Sequence, residues 1–298
     1  MAPVGTALAT RTLDLTVAGH RVPTPCTEVG EGPPALLLPA LSSISAREEM
    51  LPLARELGAA HRCLVPDWPG FGAHARAALP LNPETLHAFL DALLAAAPGP
   101  YALAVAAGHA APYLAAAARR HPGAFERLVL VAPTWRGPLP TAMGPERARW
   151  FGRIRRAVEM PLLGEALYRI NISPPIIGRM MRAHVYANAA HVTPQVVAAK
   201  HRITRQRRGR FGTAAFVTGG LDPFDTREPF LALFDEGLPS VSVLRPEGVP
   251  RRSGAEMDAL IGTGRVVARR VPGALSPHEE FPREIAEAIR AALSTSPV

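Results

Sequence analysis

Residues 101–135 read YALAVAAGHAAPYLAAAARRHPGAFERLVLVAPTW, and this pattern decides the fold class. An apolar run of strand length, 101–106, turns sharply at Gly108 and His109. An alanine-rich stretch of helical length follows, ending near His121-Pro122, and a second apolar run covers 127–133. Strand, tight turn, helix and strand in that order make the unit of a parallel sheet with a crossover helix. Parallel strands are covered on both faces, so continuous apolar runs are expected of them.

The same alternation extends upstream. Residues 8–29 carry short β-like runs on either side of Gly19, a hairpin that opens the sheet. The run 35–38 reads as a buried strand ending in Pro39-Ala40-Leu41-Ser42-Ser43. A helix is expected over 46–57, with Ser45 as cap and Glu48 at the capping-box spacing. A strand over 61–66 and a helix over 81–97, capped by Asn82 with Pro83 in its first turn, complete the series. Strands alternating with helices argue for an α/β protein with a mostly parallel, doubly wound sheet.

Downstream the character changes. Residues 137–208 lack strand-like runs and contain amphipathic stretches at 146–160, 162–170, 176–190 and 194–206. They read as a helical cap inserted over the C-terminal edge of the sheet. Strand signals resume at 213–217, followed by Gly219-Gly220-Leu221-Asp222-Pro223; a last strand at 265–271 precedes a closing helix at 283–293. The expected organisation is a core of 1–136 and 209–298 with the insertion 137–208.

Composition sets outer bounds. A chain of 298 residues with 48% hydrophobic and 19% charged residues fits one large globular domain. Two cysteines, Cys26 and Cys63, supply neither a disulfide framework nor a metal cluster and read as small core hydrophobes, so no metal and no cofactor is expected. There is no basic leader ahead of an apolar core and no spanning-length apolar run, which argues for a soluble, cytoplasmic protein. The net charge is +8, and of 33 basic residues only Lys200 is a lysine. Many of the arginines fall between Arg147 and Arg210, but no nucleic-acid motif accompanies them, so a nucleic-acid partner is not expected.

The ordered set of motifs resembles the α/β-hydrolase superfamily over nearly the whole chain. Asp67-Trp68-Pro69-Gly70-Phe71-Gly72 is similar to its Asp-x-Pro-Gly-x-Gly loop, and His121-Pro122 ahead of a strand ending Val131-Ala132-Pro133 is a combination found there. Gly219-x-x-Asp222-Pro223 resembles the acid loop, and Pro272-Gly273 followed by Pro277-His278-Glu279-Glu280-x-Pro282 resembles the histidine loop. The resemblance implies the α/β-hydrolase fold and, ordinarily, a strained elbow bearing a serine, with a histidine as base and a carboxylate that orients it.

This sequence departs from that chemistry. The elbow letters are Gly108-His109-Ala110-Ala111-Pro112. With Gly108 as the first glycine of Gly-x-Ser-x-Gly, Ala110 holds the nucleophile slot; with the helix to His121 kept at family length, Gly108 does. Neither can attack a carbonyl. Asp222 matches the acid position, whereas the histidine slot falls on Leu275. The backbone-donor loop is Pro39-Ala40-Leu41-Ser42 in place of the usual His-Gly. What the resemblance carries over is therefore a pocket, lined by Pro39, Ala40, Leu41, Ser42, His109, Ala110, Leu275 and Ser276, without the serine mechanism.

His109 and Asp222 are the candidate catalytic groups, each with a structural reading beside it: a packed histidine, and a carboxylate bracing loop amides. Ser42, Ser43 and Ser276 would need a base within reach to act as displaced nucleophiles. In the insertion, Trp150, Phe151, Ile154, Val158, Met160, Leu162, Leu163 and Leu167 alternate with Arg147, Arg149, Arg153, Arg155 and Arg156. Such helices either pack with a solvated basic face or touch anionic membrane peripherally. Three functions stay open: a non-hydrolytic enzyme of lyase, isomerase or cyclase type acting on an apolar small molecule; a non-catalytic pseudohydrolase that binds, carries or regulates; and an esterase with a relocated serine.

Overall fold

The computed structural model describes residues 8–72, 78–144 and 147–294. Strands β1 (Leu8–Val17) and β2 (His20–Val29) pair antiparallel from Leu8↔Val29 to Val17↔His20. The two residues between them, Ala18 and Gly19, both have positive φ, the geometry a two-residue hairpin loop needs to match strand twist. The remaining strands are β3 (Pro34–Leu38), β4 (Arg62–Pro66), β5 (Leu103–Ala107), β6 (Arg127–Val131), β7 (Ser240–Pro246) and β8 (Val267–Val271). They form one eight-stranded sheet in the order β1-β2-β4-β3-β5-β6-β7-β8. Only β1 and β2 run against their neighbours; from β4 onward every pairing is parallel.

Two-residue periodicity splits the sheet's side chains between two cores. Leu36 and Leu38 of β3 enter one, with Leu86, Phe89 and Leu93 of α2 (Pro83–Ala96) and Tyr113 and Leu114 of α3 (Ala111–Arg120). Ala35 and Leu37 enter the other, with Leu53 and Leu57 of α1 (Leu51–Leu57). Each fully buried leucine or phenylalanine contributes about 1.5–3 kcal/mol, so the sheet is held from both faces. This is the doubly wound arrangement the alternating pattern predicts.

Local capping follows the sequence at one helix and departs from it at another. Asn82 Oδ1 accepts the Thr85 amide at 2.9 Å, as a cap should. Ser45 does not cap the helix at 46–57; a 3₁₀ turn, Arg47–Met50, leads into α1, and Ser45 Oγ pairs with Ser42 Oγ. The orphan amide at that helix start, Arg47 N–H, donates instead to Asp67 Oδ1 from a loop distant in sequence. Arg47 also places its guanidinium 2.6 Å from Asp67, with both groups buried. Asp67 is thus a structural anchor, its carboxyl pushed up to about 6 by burial against the pull of Arg47.

The expected strand over 213–217 is a helix, α9 (Gly209–Val217). Thr-Ala-Ala-Phe-Val is a short apolar run that fits a buried helix as well as a strand, and periodicity alone does not separate the two. The sheet's seventh strand comes later, where Ser-Val-Ser-Val-Leu alternates between Pro239 and Pro246. Between β6 and β7 the chain forms α4 (Pro138–Met143), α5 (Ala148–Glu159), α6 (Leu163–Asn171), α7 (Pro174–Met180), α8 (Pro194–Thr204), α9 and α10 (Arg227–Ala232). The helix expected over 146–160 begins at Ala148, and Glu146 lies outside the described residues. The helix expected over 176–190 ends early: Met181–Val185 widens into a π turn and Tyr186 is extended. After β7 comes α11 (Arg251–Ile261); the last strand begins two residues later than the pattern suggests, and α13 (Pro282–Leu293) closes the chain after the short α12 (Pro277–Glu280). α13 adds Ile285 and Ile289 to the second core. Cys26 and Cys63 are buried free thiols, each pushed up to about 12 by burial, as small core hydrophobes would be.

Candidate functional site

The loops that leave the C-terminal ends of β3, β5, β6 and β8 lie side by side along one edge of a parallel sheet, where ligands of such folds gather. At the end of β5 the backbone enters the left-handed region at Gly108, with φ +52°, and then turns into α3 through His109 and Ala110. Ala110 itself has ordinary helical angles, φ −74° and ψ −19°. The strained residue of the turn is Gly108, therefore, and His109 directly follows it. Space is not what demands glycine here. An added Cβ would stand 3.4 Å from Ala40 Cβ and 3.9 Å from Thr134 Oγ1, ordinary contact distances. The demand comes from φ.

His109 is buried against α9, its ring edge-on to Phe216. Its Nε2–H donates to the Leu221 carbonyl at 2.9 Å, and the Tyr113 hydroxyl donates to the same oxygen at 2.6 Å. That bond fixes the tautomer and leaves Nδ1 as a buried acceptor with no partner among the described residues. Asp222 Oδ1 lies 3.4 Å from Nε2 and accepts the Gly137 amide at 2.7 Å. Burial drives the two groups in opposite directions: His109 falls to about 4 and Asp222 rises to about 7. Near neutrality the imidazole is uncharged and the carboxyl is close to half-protonated, so the two meet as a polar contact and not as an ion pair. Asp222 reaches this place from the turn after α9, not from the end of a sheet strand; the loop after β7 holds Glu247, Gly248, Val249 and Pro250.

The loop after β3 is tied into the protein's own bonds. Trp68 Nε1 donates to Pro39 O at 2.8 Å. The Ala40 amide, the donor expected to face a ligand, donates to Glu49 Oε1 at 2.7 Å. Leu41 is fully buried, and Ser42 Oγ lies 2.9 Å from Ser45 Oγ. The loop after β8 is tied to the inserted helices. Leu275 and Ser276 both donate their amides to Val185 O, and Glu280 accepts from the amides of Ala187 and Asn188. Both Leu275 and Ser276 sit under that connection.

Five polar residues that sequence reasoning did not single out as site residues complete the edge. Lys200 of α8 places Nζ 2.9 Å from Glu279 Oε2 and 3.9 Å from Glu49 Oε2, and the Tyr186 hydroxyl donates to Glu279 at 2.8 Å. His278, fully buried, sets Nε2 3.6 Å from Glu49 Oε1. Burial works against the Lys200 charge, but Glu279 and Glu49 outweigh it and hold the ammonium above its usual range. Glu279 is likewise held below the ordinary carboxylate range, the neighbouring ammonium outweighing burial. One signal for this cluster was in the sequence: a lone lysine among 33 basic residues. A compact ammonium fits between two buried carboxylates where a planar guanidinium does not.

A cavity of about 310 Å³ lies elsewhere, lined by His121, Gly123, Phe125, Leu238 and Pro239 ahead of β6 and β7, at the opposite edge of the sheet. Among the described residues no three histidine, cysteine or acidic side chains gather to hold a metal ion.

No family model and no curated protein matches this chain. Solved structures do. A thermophilic esterase from Thermogutta terrifontis is 21% identical with a TM-score of 0.70, over 96% of this chain and 98% of its own. A haloalkane dehalogenase variant from Agrobacterium tumefaciens C58 is 15% identical with a TM-score of 0.75, over 99% and 100%. The Cif epoxide hydrolase from Acinetobacter nosocomialis is 14% identical with a TM-score of 0.73, over 96% and 89%. At these identities the likeness establishes the architecture: this chain has the α/β-hydrolase fold with its mostly parallel sheet.

Proposed function

We propose that this chain is a pseudohydrolase: an α/β-hydrolase-fold protein that binds an apolar small molecule between sheet and inserted helices and does not hydrolyse it. The observation that carries the reading is the elbow. Its strained position is Gly108, which has no side chain, and the histidine slot holds Leu275. Serine hydrolysis needs both of the missing groups, and loss of either one disables it. The tying of the Ala40 amide to Glu49 supports the same reading, because that donor is already spent on a carboxylate. Ala40, Ala110, Leu41 and Leu275 make the surroundings apolar, and a further apolar cluster containing Ile44, Ile177 and Met181 joins the loop after β3 to the inserted helices.

The test is a fluorophosphonate probe together with turnover of a short acyl ester. We expect no covalent labelling and no hydrolysis above the uncatalysed rate. Stoichiometric labelling of Ser42 or Ser276 would overturn the proposal in favour of a relocated nucleophile. Native mass spectrometry of protein purified from its own host is expected to find an apolar molecule bound, which a Leu275→Trp variant of unchanged melting temperature should lose.

A second reading, non-hydrolytic catalysis, is favoured by two observations: the buried Nδ1 of His109 accepts nothing among the described residues, and an adjacent carboxyl titrates close to neutrality. If the molecule that co-purifies is turned over, His109→Gln should reduce that turnover by at least 100-fold, the usual scale for a general base. Unchanged turnover in His109→Gln would remove His109 from any mechanism.

A further inference from the structure

Helix α6 is apolar on two sides. Facing inward, Gly164 and Tyr168 are buried, and the Tyr168 hydroxyl donates to the Thr204 carbonyl at 2.7 Å. Facing outward, Leu163, Leu167 and Ile170 recur at the i, i+4, i+7 spacing of one helix face and are all exposed, Ile170 by 65%. The link from α5 to α6 adds Met160 and Leu162, the latter 88% exposed. Packing within the chain accounts for the inner side only. On α5, which packs against α6, Trp150 is 61% exposed and Arg153 lies over its ring. A run of large apolar side chains left in water at this density marks a surface that meets something else.

Charge says what that surface meets. Residues 147–182 contain eight arginines and two carboxylates, Glu159 and Glu165. Both carboxylates are already neutralised from within, Glu159 by Arg155 and Glu165 by Arg169 and Arg210. Arg149, Arg153 and Arg156 of α5, which packs against α6, and Arg179 of α7 remain exposed. A symmetric dimer through this face would set one arginine-rich patch against another, which disfavours a second copy of the chain. An anionic lipid surface satisfies both features, since it takes arginines at its headgroups and leucine, isoleucine and tryptophan at the acyl boundary. Among the described residues no helix is long and apolar enough to cross a membrane, so the contact would lie in the interface plane.

We propose that the outer face of α6, with the α5–α6 link and Trp150, docks this protein on anionic membrane. The inference is independent of what the elbow binds. The test is flotation of the full chain with vesicles of phosphatidylcholine alone and of phosphatidylcholine with 30% phosphatidylglycerol. Wild-type protein is expected to float with the anionic vesicles, at least tenfold more than with the neutral ones, and to be released as salt rises. Leu162→Ser/Leu167→Ser/Ile170→Ser, all surface changes, should lower the partition coefficient at least tenfold with melting temperature unchanged. Arg153→Gln/Arg156→Gln should lower it severalfold and flatten the salt dependence. Failure of wild type to float with anionic vesicles, or equal flotation by the triple variant, overturns the proposal. A dimer in sedimentation that the triple variant converts to monomer, without vesicle binding, overturns it in favour of a self-contact; capture of an acidic protein through this face, again without vesicle binding, overturns it in favour of a protein partner.

Discussion

Replacing Lys200 by methionine is expected to lower the folding free energy by about 3–5 kcal/mol, the scale for removing one partner of a buried ion pair. Methionine has nearly the length of lysine without the charge, so packing is kept and the electrostatic loss is isolated. What it leaves behind is Glu279, 16% exposed, and Glu49, 1% exposed, with no cation between them. The pair's pH window follows from its two shifts. Lys200 is raised, so its contribution is complete below the usual lysine range and fades only as pH climbs through the raised value. Glu279 is lowered, so its contribution is complete above the ordinary glutamate range and fades as pH falls through the lowered value. Wild type is therefore level between roughly pH 5.5 and 9, whereas the variant's stranded Glu279, with burial unopposed by the ammonium, takes up a proton toward the acid end. Urea unfolding should thus give a penalty, wild type minus variant, that grows from the acid to the alkaline end of that window. The double variant Lys200→Met/Glu279→Gln should recover part of the loss by removing the stranded charge, and the cycle measures the coupling. A penalty below about 1 kcal/mol would mean the pair is screened like a surface one. Because Lys200 and Tyr186 lie among the inserted helices and Glu49 and Glu279 in short helical turns beside the sheet, the variant should also be cut by protease within 137–208 sooner than wild type.

How far the sequence foretells this molecule depends on the length of each signal. The unit from 101 to 135 places β5, α3 and β6 nearly residue for residue, because two apolar runs and an alanine helix leave no other reading. Asn82 caps α2 as its spacing predicts. Residues 213–217 mislead because five residues are too few to separate strand from buried helix, so Asp222 follows a helix where the pattern predicts a sheet strand. The elbow leaves two slots open on paper, and the left-handed backbone angle, φ +52°, falls at one of them, Gly108. What no local pattern holds is pairing at long range. Asp67 reaches Arg47, Lys200 reaches Glu279, and His109 reaches Leu221, each bond joining segments that only tertiary structure brings together. His278, placed by motif in a loop-bracing tail, is buried 3.6 Å from Glu49, beyond hydrogen-bond reach, and its ring nitrogens find no hydrogen-bond partner among the described residues.

Asp222→Asn is expected to stabilise the protein at pH 8 by about 2–4 kcal/mol and to leave it nearly unchanged at pH 4, an effect set by the raised carboxyl. The sign runs against the usual aspartate. In the unfolded chain Asp222 loses its proton near 3.8, whereas in the folded protein burial holds the proton until about 7. Between those values the folded state binds the extra proton, so this group's share of stability falls as pH rises and the full penalty stands above pH 7. Asparagine keeps the oxygen that accepts the Gly137 amide and never ionises, so it escapes that penalty. His109 contributes in the other direction. Its value near 4 means the unfolded chain alone takes up a proton as pH falls from 6.5, and stability drops with it. That contribution is common to wild type and variant and cancels in their difference. The comparison needs urea unfolding of both proteins at pH 4, 6 and 8. A variant less stable than wild type at pH 8 would show instead that the carboxylate is favoured there by Arg136, the opposing charge that pulls it down. The expected gain also bears on function. A carboxylate that destabilises its own fold near neutral pH is a poor brace, since asparagine would brace Gly137 equally well. A gain of that size would therefore strengthen the catalytic reading of the His109–Asp222 pair, and an absent gain would leave Asp222 as scaffolding beneath a binding site.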